Sequence, residues 1–68
     1  MTYSIVIEKC KETNFYVGHI PGFPGAHSQG VTIEELRQNM IEVVELLVYE
    51  GYPELESEFI GTQELVIE

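Results

Sequence analysis

PGFPGAHSQGVTIEEL, residues Pro21 to Leu36, sets a Pro/Gly turn, a short alternating strand and a helix start side by side. In Pro21-Gly22 and Pro24-Gly25, proline presets φ and glycine supplies positive φ, so the chain can reverse twice within a few residues. Ala26 to Val31 follows as a short strand flanked by Gly25 and Gly30. Thr32-Ile33-Glu34-Glu35 then has the form of a capping box. The Thr32 hydroxyl is placed to accept the Glu35 N–H, and the Glu35 carboxylate to reach back to the Thr32 N–H.

Downstream, the spacing predicts a helix from about Ile33 to Tyr49, with Ile33, Leu36, Met40, Val43, Val44 and Leu47 on one buried face. Glu34, Gln38, Glu42 and Glu45 fall on the opposite side, which makes them candidates for water or for a basic partner. Ile41, Val48 and Tyr49 widen the apolar stripe beyond what one sheet needs and are candidate contacts for a second subunit. Gly51 and Pro53 end the helix. A polar stretch from Glu54 to Glu58 leads to Phe59–Ile67 (FIGTQELVI), read as a last short strand pairing with the sheet; left unpaired, its apolar edge would invite association.

Upstream, Tyr3–Ile7 (YSIVI) and Phe15–Ile20 (FYVGHI) read as strands joined through a polar hairpin loop, Glu8 to Asn14. Gly18 inside the second strand points to a bulge or to close approach by another backbone. The order is β-β-β-α-β, an α+β fold with a three-stranded antiparallel sheet, one helix across a face and a short fourth strand. No repeat, linker or low-complexity run divides residues 1–68, which form a single domain.

A chain of 68 residues buries only about 60% of its unfolded surface, so a homo-oligomer, dimer or tetramer, or a bound partner is expected to add stability. Cys10 is the only cysteine, which excludes an internal disulfide and fits a reducing compartment. No apolar run approaches a membrane span and Met1-Thr2-Tyr3-Ser4 has no leader pattern, so a cytoplasmic protein is expected. Twelve acids, all Glu, stand against Lys9, Lys11 and Arg37, for a formal charge of -9. That field repels phosphate backbones and anionic membranes and attracts a basic protein.

Catalytic constellations are scarce. Ser4, Ser28 and Ser57 lack a nucleophile-elbow context, and no Asp exists to orient His19 or His27. The two histidines lie on strands that can face one another; a surface pair or a partner contact, His27 above all, accounts for them better than a metal or a general base. Cys10 sits between Lys9 and Lys11, which lower its pKa, yet no helix N-terminus or histidine activates it. Neither a cofactor nor a metal is expected.

The ordered set Pro24-Gly25, Ser28-Gln29-Gly30 and Thr32-Ile33-Glu34-Glu35 resembles the signature P-G-x-x-S-x-G-D-T-x-E-E-A of the HicB-like antitoxin family. With TYSIVIEK as first strand and the amphipathic helix, the likeness covers Tyr3 to about Ile67. Val31 stands where the family commonly has Asp, and Leu36 where it has Ala, which puts in question any partner contact made by that Asp. In this likeness Pro24, Gly25, Gly30, Thr32 and Glu35 serve turn and cap. The resemblance implies a partial RNase H-like fold and a protein that occludes HicA, a small basic toxin cleaving messenger RNA. Longer family members add a C-terminal DNA-binding module; none is expected here, and the acidic balance independently argues against direct DNA binding. Two other readings stand beside it: an orphan oligomerising or regulatory domain without a toxin, and an RNase H-like hydrolase. The second lacks acids in mid-strand, since Glu8 alone cannot build a two-metal site.

Overall fold

A computed structural model describes residues 2–51 and 55–67. It is built from three antiparallel strands, β1 (Val6–Lys9), β2 (Tyr16–His19) and β3 (His27–Gly30), in the spatial order of the chain, and one helix, α1 (Ile33–Tyr49). The α+β fold is the one expected. The strands are shorter and shifted: Glu8 and Lys9 belong to β1 rather than to the loop. The hairpin is closed at Cys10, whose N–H donates to the Phe15 carbonyl (2.8 Å) and whose carbonyl accepts from Asn14, a residue with φ of 64°.

The Pro/Gly segment folds as two consecutive turns. Phe23 N–H donates to Ile20 O and Ala26 N–H to Phe23 O, each at 3.1 Å, with Pro at the second position and Gly22 (φ 77°) or Gly25 (φ 83°) at the third. Positive φ at that third position is what a type II turn demands of glycine. Because the turns advance three residues at a time, Ile20, Phe23 and Ala26 all point inward and, with Leu36 and Met40, form the buried cluster. Tyr3 packs its ring against Phe23, centroids 5.6 Å apart.

The register pairs Ile7 with Gly18 and Gly18 with Ser28, without a bulge. Gly18 is instead a site of close approach: a Cβ there would lie 3.2 Å from both Ile5 and Leu36 side-chain atoms. Gly30 is tighter still, since a Cβ would stand 2.5 Å from the Leu36 nitrogen. Two glycines thus let α1 settle over β3 and β2 with Leu36 and Met40 only 1% exposed.

Three expectations are corrected. Ile33 is 52% exposed, because it lies in the first turn ahead of the Gly30–Leu36 contact where the core begins. The Glu35 carboxylate accepts from the N–H of Val31 (3.2 Å) rather than that of Thr32, while the Thr32 hydroxyl accepts the Glu35 N–H (3.0 Å) as expected. Phe59–Ile67 forms no strand and is exposed throughout. Its apolar residues, Phe59 and Ile60 on one side of Gly61 to Glu64 and Leu65 to Ile67 on the other, are left uncovered by the rest of the same chain. Gly51 takes φ of 92° after the helix, as a C-terminal glycine should; Pro53 and Glu54 lie outside the described residues.

Candidate protein-binding surfaces

The helix divides the molecule's exterior. Residues three and four apart share a helix side, so Glu34, Gln38, Glu42 and Glu45 form one strip, and all four are exposed. The core face of α1 is turned away from them, as the burial of Leu36 and Met40 requires. A field of three carboxylates with a single amide between them suits a partner that brings lysine or arginine.

His27 is not part of that strip. The register sets His19 directly opposite His27, and Val6 beside His19. Cross-strand partners share a sheet face. Gly18 and Gly30 face the helix, so Val6, His19, His27, Val17 and Gln29 lie on the opposite, uncovered face. The expected histidine pair is therefore present as a register neighbour pair, on the far side of the sheet from the glutamates. Among the described residues no group of three or more His, Cys, Asp or Glu is placed to hold a metal.

Pro24 and Gly25 occupy the second turn and Thr32 and Glu35 the cap, whereas Gly30 ends β3 in close approach to Leu36. Ile41, Val48 and Tyr49 are exposed on α1, flanking a hollow beside the N-terminal segment. Leu46, 58% exposed, adds an apolar side chain that the periodicity did not single out. Two further contacts had no legible signal. The Asn39 amide donates to the Gln29 carbonyl (2.8 Å), tying α1 to β3, and Lys9 Nζ stands 5.5 Å from the Tyr16 ring centroid. Both join residues whose proximity only the register and helix placement create.

The Cys10 thiol is held below the usual thiol value, first by a hydrogen bond with the Thr13 hydroxyl and then by the backbone at Thr13 and Glu12. The cause is the loop's own hydrogen bonding rather than the flanking lysines. The same Thr13 oxygen accepts the Phe15 N–H at 3.2 Å. No helix among the described residues is long and apolar enough to cross a membrane.

A model of a family described as UPF0150-like matches residues 4–53. A UPF0150 protein of Synechocystis sp. is 43% identical over 65 residues, covering 96% of this chain and 93% of its own. A UPF0150 protein of Thermotoga maritima is 36% identical over 67 residues, covering 97% and 89%. One of Archaeoglobus fulgidus is 38% identical over 63 residues, covering 93% and 90%. No solved structure matches the chain.

Proposed function

The chain belongs to the UPF0150-like family, and from that premise we propose that it is an antitoxin-like protein of the HicB-like type, which binds and occludes a small basic HicA-type toxin. The observation that carries the proposal is the exposed strip Glu34, Gln38, Glu42 and Glu45 on a chain of net charge -9. Complementary potentials raise the rate of encounter and disfavour wrong partners. A toxin that binds messenger RNA must present cations to phosphates, and carboxylates on a rigid helix can engage the same cations.

In this reading the protein is cytoplasmic, has no catalytic role of its own and uses no cofactor. It acts by covering the toxin's RNA-binding surface, and the capped helix serves as the rigid support. Val31, 57% exposed, replaces the Asp of the resembling signature just before the cap. Any toxin contact made there is apolar or absent, and the helix strip carries the recognition.

Co-expression tests the proposal. The chain should rescue growth inhibited by a small basic toxin encoded beside it, and the two should elute together. Absence of rescue with an active neighbouring toxin leaves the orphan oligomerising domain as the reading to adopt.

A further inference from the structure

Residues 59–67 and the outer side of β1 each lack what the other offers. Ile60, Leu65, Val66 and Ile67 are 87%, 83%, 90% and 88% exposed, an apolar load that a chain of this size seldom leaves in water. The segment departs from the body after Glu56, whose N–H donates to the Gly22 carbonyl at 2.6 Å, and Ser57, which packs against Gly22. From there its nine residues can span about 30 Å when extended. The radius of gyration, 13.3 Å, exceeds the roughly 11 Å of a compact chain of this length, and the longest axis is 45 Å.

The receiving surface lies on β1. It is an edge strand, with no strand beyond it among the described residues. The helix covers β2 and β3 but not β1, and this leaves a hollow of about 360 Å³ between Tyr3 and Ile5, which lead into β1, and Ile41 and Val44 of the helix, floored by Met40. A second hollow continues from Tyr3 and Val44 to Val48 and Tyr49. At the other edge, Asn39 of the helix already bonds the β3 carbonyl of Gln29.

We propose that residues 59–67 of one copy add as a fourth strand to the β1 edge of a second copy, reciprocally, closing a two-fold dimer. Alternate residues of a strand share a face, so Leu65 and Ile67 would enter the hollow together. Main-chain hydrogen bonds along an open edge supply affinity and the hollow supplies register. The charges agree with this occupant. Residues 55–67 carry Glu56, Glu58 and Glu64 and no cation, whereas two of the chain's three cations lie on the receiving side, Lys9 on β1 and Arg37 at the rim of the hollow, where they balance Glu8 and Glu45 and leave this side the least acidic partner for the tail. Exchange between copies satisfies both surfaces at once, and its symmetry is of the closed kind that limits growth into fibres. The inference is independent of the antitoxin reading, since it needs no toxin.

Light scattering coupled to size exclusion on the full chain tests it. The wild type should have twice the 7.7 kDa chain mass. The double variant Leu65→Glu, Ile67→Glu and the groove variant Ile41→Glu should each elute at the single-chain mass with unchanged helical circular dichroism. Leu46→Glu, on exposed helix surface that does not line the hollow, should remain a dimer. A monomeric wild type at high micromolar concentration, or a dimer indifferent to both the tail and the groove variants, would overturn the proposal.

Discussion

Gly30 is the residue on which the packing of the helix turns. A methyl group there would meet the Leu36 nitrogen at 2.5 Å, and the obstacle is backbone rather than the yielding end of a side chain. Gly30→Ala should therefore destabilise the domain by about 1–3 kcal/mol, the ordinary range for overpacking a fixed site. Thermal unfolding is the check, with a drop of about 4–8 °C per kcal/mol expected for a domain of this size. An unchanged midpoint would mean that the helix can slide off β3 at no cost. At Cys10 the Thr13 hydroxyl favours the thiolate, so alkylation sets in at lower pH than for an ordinary thiol. Thr13→Val should move the rate–pH profile upward and slow the reaction at neutral pH, while Thr13→Ser should restore it. A profile identical in all three proteins would remove Thr13 as the cause.

At the scale of elements, the helix stands on its cap and on a narrow buried seam. Thr32 closes the first turn through the Glu35 N–H, and Thr32→Ala should cost about 0.5–2 kcal/mol in chemical denaturation. The loss should be near zero only if the Glu35–Val31 bond holds the turn alone. These features were legible in the sequence because each depends on residues within a few positions of one another: Pro-Gly for the turns, Thr-x-x-Glu for the cap, the helical period for Leu36 and Met40. What the sequence did not disclose depends on distance along the chain. Whether Ile33 is covered depends on where β3 meets the helix. Asn39 meets Gln29, and His27 lies across the sheet from the glutamates, for the same reason. The apolar stretch at 59–67 has the composition of a strand, but composition names no partner. Within one chain those residues stay in water.

For the whole molecule, two facts pull in different directions. A charge of -9 on 68 residues keeps copies apart, while the apolar side chains left on the tail and on α1 draw them together. Leu65 and Ile67, which enter the hollow, would each gain about 1.5–3 kcal/mol on full burial in each of the two copies, enough in sum to outweigh repulsion that salt screens over about 8–10 Å. Dimer dissociation should accordingly weaken as salt is raised, which sedimentation at low and moderate ionic strength can measure. Binding of a basic partner should show the opposite dependence, since there salt screens attraction. The two associations are thus separable by one variable.

Recognition is proposed to run through the acidic strip of the helix meeting a basic toxin. Stopped-flow association with a small basic toxin, where one is found encoded beside this chain, at several salt concentrations, is the measurement that checks it. The wild type should associate rapidly, with a rate that falls steeply as salt rises. Glu34→Lys, Glu42→Lys, Glu45→Lys together, which bring the formal charge from -9 to -3, should slow association at least about tenfold at low salt and flatten the dependence. Equal rates for the two proteins, or no complex with either, would contradict the account.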